Sequence, residues 1–175
     1  DGDLGALTDA QRTLLLQATD SNERMIGLIN DTMNVIKAEG SSTPYVEEPL
    51  IIEKLLSEVI ADFTSEAAEK GMHIRYSSTN TETTILGDIG KLRIALHNLL
   101  ENAIKYGNPN TDITVQLVTT PTQMTLSIRD MGINIPNEEQ SQMFTKFFRA
   151  SNARAHTPGV GLGLYATKAI VERHH

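Results

Sequence analysis

Residues 97–107 read HNLLENAIKYG, and three of them have the makings of a ligand site. Asn98 and Asn102 stand four apart, with Lys105 three further on, so a helix stacks all three on one face. Carboxamide oxygens are hard, neutral ligands suited to Mg2+, and an ammonium suits phosphate. The competing reading is a polar stripe turned to solvent, with Glu101 and Lys105 as an i,i+4 pair.

Three further stretches carry comparable chemistry. In RDMGINIP (129–136) the Asp130 carboxylate can accept a hydrogen bond from an exocyclic amine such as that of adenine. Gly132 lets the backbone turn and approach a flat ring, although Asp and Gly also end strands in ordinary turns. In PGVGLGL (158–164) glycines alternate at 159, 161 and 163 and a helix follows. Backbone N–H groups at a helix N-terminus attract anions; a plain loop before a helix is the alternative. The spacing is neither G-x-G-x-x-G nor G-x-x-x-x-G-K-[ST], which excludes Rossmann and P-loop readings. In MFTKFFRA (143–150) three of the four phenylalanines crowd together. Such a cluster reads as core, or as the hinge of a lid formed by the small, basic stretch 149–158.

Positioning these residues requires a particular set of elements. Thr8 and Gln11 form a capping box that opens a helix over about 8–38. Along it Leu15, Asn22, Ile29 and Ile36 recur every seven residues, with Ala18, Met25 and Thr32 as the companion series. This is a coiled-coil-type seam, which needs partner helices. SSTPY (41–45) reads as a linker, followed by a short strand over 45–47. A helix over 50–70 has Ile51, Leu55, Val59 and Phe63 on one side and stops at Gly71. Residues 72–76 and 83–86 read as strands, and 89–106 as the helix that bears the two asparagines. DITVQLV (112–118) and QMTLSIRD (123–130) alternate apolar with polar and form an antiparallel hairpin turning at Pro121. A short helix over 137–144 and a last one over 160–173 complete an α+β layout.

Composition narrows the function. A chain of 175 residues with 39% hydrophobic content suits one domain plus an appendage. A net charge of −7 argues against nucleic acid as the main partner. The absence of cysteine excludes disulfides, thiolate metal sites and cysteine nucleophiles. No apolar run approaches the roughly 18 residues of a membrane span, and no signal peptide is visible. The chain opens on Asp1 rather than Met, as expected of an excised piece.

In their order and spacing the four stretches resemble those of the ATP-binding catalytic domain of bacterial sensor histidine kinases. HNLLENAIKYG resembles the N box of that family, DMGINIP its first glycine box, MFTKFFRA its F box and GVGLGL its second glycine box. GDIGKLRIALHNLL is similar to the usual lead-in to the N box, and the resemblance covers nearly the whole chain. It implies a two-layer sandwich of helices on a mixed, mostly antiparallel sheet, the Bergerat-type fold of the gyrase, Hsp90, histidine kinase and MutL superfamily, preceded by one long helix. Residues 1–40 would be the second helix of a dimerisation and phosphotransfer hairpin. Residues 41–175 would be the catalytic domain without its last strands.

The implied cofactors are ATP and Mg2+. By the resemblance Asn102 holds Mg2+ bridging the phosphates, with Asn98 beside it. Lys105 neutralises phosphate charge, Tyr106 borders the pocket and Asp130 reads the adenine amino group. Gly132, Gly161 and Gly163 allow close approach, and Ile135, Gly159, Leu162 and Leu164 complete the nucleotide site. Arg149 or Arg154 reaches the γ-phosphate from the lid. The implied activity is transfer of that phosphate to a histidine for relay to an aspartate of a response regulator. The intact protein would be a cytoplasmic homodimer, reaching a membrane only through segments outside this chain.

The sequence departs from the family pattern at three points. The acceptor motif, like H-E-L-R-x-P, is missing: His73, His97, His156, His174 and His175 all lie in unlike surroundings. The helix that carries the acceptor is therefore expected upstream. Asn134 replaces the usual Gly of D-x-G-x-G-I-P, where a positive φ and some crowding of the adenine are expected. A strand pair normally follows the last helix, and the chain stops at His175. Two other functions compete. One is a nucleotide-binding or scaffolding module without kinase activity. The other is an ATP-hydrolysing clamp of the gyrase and Hsp90 type, which would need a Glu where Asn98 stands.

Overall fold

The computed structural model describes residues 7–39, 44–80, 82–120, 122–154 and 159–174. The turn at Pro121, the lid histidine His156 and the terminal His175 lie outside them.

Helix α1 (Asp9–Glu39) opens on the expected capping box. The Thr8 N–H donates to Gln11 Oε1 at 2.9 Å, and the Gln11 N–H donates to Thr8 Oγ1 at 3.3 Å. Near its C-terminal end Val35 is buried, whereas Leu15, Met25 and Ile29 of the heptad seam are exposed. The expected early strand lies three residues later, as β1 (Glu48–Ile51), and it delays α2 to Ile52–Glu69. Leu50 is the buried residue of β1 and sets which face turns inward. Pro49 is tolerated because the strand belongs to a two-stranded ribbon. Helix α2 ends as expected at Gly71, in the left-handed conformation with φ of 68°.

Strands β2 (His73–Ser78), β4 (Asp112–Thr119) and β5 (Met124–Arg129) form one sheet in the order β2-β4-β5. β2 runs parallel to β4, and β4 pairs antiparallel with β5, Val115 opposite Ile128 and Leu117 opposite Leu126. β3 (Thr84–Gly87) pairs antiparallel with β1 in the separate ribbon. The mixed sheet agrees with expectation, and the parallel pair places α3 (Ile89–Tyr106) in the crossover between β2 and β4.

The core lies between one face of this sheet and helices α2 and α3. Ile113, Val115 and Leu117 project from β4 onto Leu55, Leu56 and Val59 of α2 and Leu100 and Ile104 of α3. The opposite side of α3 buries Ala95 against Leu162, and against Ala166 and Ile170 of α5 (Gly163–Arg173), with Val35 of α1 joining that cluster. Helix α3 is thus held from both sides, and Asn98 and Asn102 continue the stripe of Ala95 along it, Asn98 lying against Gly163 of α5.

Two expected helices are shorter than the sequence suggested. The segment 137–144 forms only a 3-10 turn, Gln140–Gln142, with the Glu139 N–H donating to the Pro136 carbonyl at 2.9 Å. It has no fully buried residue to offset the entropy of a longer helix. The last helix starts at Gly163 rather than 160, because Gly161 stands at φ 78°, outside helical geometry. A four-residue helix, α4 (Ser151–Arg154), lies in the basic stretch.

Candidate functional site

Helix α3 is capped by Asp88, whose Oδ1 accepts from the Lys91 N–H at 3.0 Å. Its Oδ2 accepts from the Val46 N–H at 3.1 Å, and the Asp88 N–H donates to His174 Nε2 at 3.0 Å. One residue therefore joins the chain after the linker, the start of α3 and the end of α5. At the far end of α3 the Lys70 ammonium donates to the Ile104 carbonyl at 3.0 Å. The helix is pinned at both ends, which sets the height of its polar face.

That face forms one wall of a cavity of about 340 Å³. Asn98, Asn102, Lys105 and Tyr106 come from α3. Ile128 and Asp130 come from the end of β5, and Ile133 and Ile135 from the segment after it. Phe148, Arg149, Asn152 and Ala153 form the lid side, and Gly159, Val160, Gly161, Gly163 and Leu164 close the ring. Apolar side chains thus line one part, and two carboxamides and an ammonium line another.

The expected residues converge, with some in unexpected roles. Asn98 is buried, and its side-chain nitrogen donates to the Gly163 carbonyl at 3.1 Å. This bond ties α3 to the first turn of α5, while Asn98 also lines the cavity with Asn102. The Lys105 ammonium reaches the glycine loop: a Cβ built on Gly159 would lie 3.1 Å from Nζ. It also lies 5.7 Å from the Tyr106 ring centroid. Asp130 Oδ1 accepts from the Gly132 N–H at 2.8 Å.

Gly132 and Leu162, both expected at the nucleotide site, are held by the protein's own packing. Gly132 is not on the cavity wall: a side chain there would collide with the Tyr106 carbonyl, which also accepts from the Ile133 N–H at 3.2 Å. Its close approach is to the protein's own backbone. Leu162 is buried with α5 and turned into the core. Gly161 does similar work to Gly132, its missing side chain leaving room for the Phe148 carbonyl. Its own carbonyl accepts from the Phe147 N–H at 3.0 Å. The glycine loop and the phenylalanine segment are thus one folded unit.

On the lid side, Arg149 lines the cavity and donates to the Ala153 carbonyl at 3.1 Å. Arg154 is exposed and off the cavity wall, its Nε donating to the Arg149 carbonyl at 3.1 Å. Helix α4 is fastened twice to the segment after β5. The Ser151 N–H donates to Glu139 Oε2 at 2.9 Å, and Asn152 Nδ2 donates to the Asn134 carbonyl at 2.7 Å. The Ser151 N–H, with help from its hydroxyl, holds Glu139 below the usual carboxylate range.

Asn134 itself is exposed and off the cavity wall, so it does not crowd the pocket. Nor does it take a positive φ: among the described residues the non-glycine cases are Asn110 and Phe147. The sequence reading missed Asn152, Met143 and the capping role of Asp88. Asn152 has no spacing signal, whereas Asp88 three residues before Lys91 matched a helix N-cap.

Two of the described histidines pack into the fold. His97 contacts Asp62 at 3.1 Å and packs on Phe63 with ring centroids 5.0 Å apart. His174 packs on Tyr45, also at 5.0 Å, and its Nδ1 lies 2.7 Å from the Ile170 carbonyl.

Residues 87–175 match the family described as histidine kinase-, DNA gyrase B-, and HSP90-like ATPases. This chain belongs to that family, and it carries an ATP-binding catalytic domain of the sensor histidine kinase type. It is 30% identical over 173 residues to the circadian input-output histidine kinase CikA of Synechococcus elongatus, a match spanning 97% of this chain and 23% of CikA. The full-length structure of ShkA in complex with AMPPNP superposes with a TM-score of 0.74 at 24% identity, covering 98% of this chain and 35% of that one. Histidine kinase ThkA in complex with response regulator protein TrrA matches with a TM-score of 0.68 at 18% identity, covering 87% of this chain and 45% of that one. At these identities the two structures establish a shared fold. The chain spans less than a quarter of the length of CikA.

Proposed function

We propose that this region binds Mg·ATP and transfers the γ-phosphate to a histidine on a helix that packs against the seam of α1, for relay to a response regulator aspartate. The observation that carries the proposal is the convergence of Asn102 and Lys105 with the glycine loop at one part of the cavity and Asp130 at another. Phosphoryl transfer asks mainly for positioning and charge stabilisation. Lys105, beside Gly159, supplies a cation where phosphates would enter, and the N-terminus of α5 adds its dipole. The Asp130 carboxylate orients the base through its amine, between the apolar side chains of Ile128, Ile133 and Ile135. Arg149 stands at the lid as a second cation.

Among the described residues no group of three or more His, Asp or Glu side chains gathers to hold a metal alone. That suits Mg2+, which binds through one or two protein ligands plus phosphates and water. Asn102 is the residue that would hold it, the ion's charge offsetting that of the phosphates.

Residues 1–40 are read as the second helix of a dimerisation hairpin and residues 41–175 as the catalytic domain. The exposed seam residues Leu15, Met25 and Ile29 support the first assignment. No helix among the described residues is long and apolar enough to cross a membrane. On its membership of the sensor kinase type, we assign the region to the cytoplasm. The ThkA–TrrA complex supports a response regulator as partner. A hydrolytic clamp is disfavoured, because Asn98 is a buried donor to Gly163 rather than a base.

The test is to titrate ATP with and without Mg2+, then add a separate helix bearing the acceptor histidine. Mg2+-dependent binding and acid-labile phosphate on that helix are expected. Binding without phosphate would establish a nucleotide-binding module instead.

A further inference from the structure

We infer that Asn152 is a specificity-determining residue of this site, its side-chain oxygen accepting a hydrogen bond from a sugar hydroxyl of the nucleotide. The inference rests on the ATP-binding reading above. Asn152 lies on α4 and borders the cavity, its side-chain oxygen set back from the open space. Its 2.7 Å contact with the Asn134 carbonyl decides which end of the amide is which, because only the nitrogen can donate there. The oxygen is therefore the other end, and it is shut off from solvent with no hydrogen-bond partner. A buried amide oxygen left without a donor is costly, and the great majority of such atoms in native proteins are paired. The cavity beside it is where a donor can arrive, with a small rotation of α4 or of the side chain.

The chemistry of a nucleotide limits what that donor is. Phosphate oxygens carry no hydrogen near neutral pH and would repel an amide oxygen. The exocyclic amine falls to Asp130, a charged and stronger acceptor at the end of β5. Asn152 approaches from a different wall, the lid, and the sugar hydroxyls are the donors that remain. Asn134 then has a purpose through its main chain, because its carbonyl fixes the Asn152 amide with the oxygen directed away from it.

The experiment measures binding of ATP, 2′-deoxy-ATP and 3′-deoxy-ATP to the whole chain and to Asn152→Ala. For the unaltered chain, one deoxy analogue is expected to bind about tenfold more weakly than ATP. In Asn152→Ala that difference should vanish, ATP having weakened to match. Equal binding of all three nucleotides by the unaltered chain overturns the inference without reference to any variant. So does an equal weakening of all three in Asn152→Ala, which would make Asn152 only a fastener of α4. A purine nucleotide lacking the 6-amino group whose penalty disappears in Asn152→Ala would move the contact to the base and also overturn it. Undetectable binding of ATP itself would overturn the nucleotide reading, and this inference with it.

Discussion

At the scale of single residues, Asn98 and Asn102 look alike in sequence and do different work. Asn98 is buried and bonded to Gly163, so Asn98→Ala removes a cross-link between two helices. A loss of about 1–3 kcal/mol in denaturant unfolding is expected, with a lower midpoint and an unchanged slope. Asn102 lines the cavity and is only half-buried. Asn102→Ala should leave stability within about 0.5 kcal/mol of the parent chain while abolishing the Mg2+ dependence of ATP binding. Asp130→Asn should weaken ATP by at least about tenfold at unchanged stability, since a charged acceptor becomes a neutral amide of the wrong polarity. Equal affinity for ATP in Asp130→Asn would sink the base-reading assignment.

At the scale of elements, the site depends on where α3 and α4 are held. The Asp88 carboxylate caps α3 through the Lys91 N–H and also accepts from the Val46 N–H, so Asp88→Ala, which keeps only the main-chain bond to His174, should cost about 1–2 kcal/mol. Thermal unfolding would show it as a lower Tm. The fastening of α4 by Glu139 is pH-sensitive in a definite direction. Its carboxyl lies below the ordinary 4.5 because the charged form accepts from Ser151. A depressed folded-state pKa contributes stability that is present above 4.5 and is lost as pH falls through the folded value. Protection factors at residues 151–154, relative to intrinsic exchange at each pH, should therefore fall over that window, and Glu139→Gln should lower them at neutral pH as well. Protection in the variant equal to that of the parent would show that Asn152 and Asn134 suffice to hold α4.

At the scale of the whole molecule, α1 exposes Leu14, Leu15, Leu16, Met25, Ile26, Leu28, Ile29 and Met33, although Val35 is buried against α5. So long an apolar stripe favours association. Sedimentation equilibrium should show self-association that a Leu15→Glu, Ile29→Glu double variant reduces, with ATP affinity unchanged because neither residue is near the cavity.

Much of this architecture was legible in the chain, because local physics governs it. The capping box at Thr8, the left-handed stop at Gly71 and the β4–β5 hairpin follow from side chains acting on their own or adjacent backbone. The convergence of Asn102, Lys105, Asp130 and the glycine loop was readable because the motif order survives in sequence. What only the tertiary structure decided are contacts between segments far apart in the chain. Gly132 makes room for the Tyr106 carbonyl, Leu162 turns into the core, and Asn98 bonds to Gly163. Residue type and spacing specify what chemistry a side chain can perform. Which partner it meets depends on how independently folded elements pack, and that is settled only when the core closes around α3.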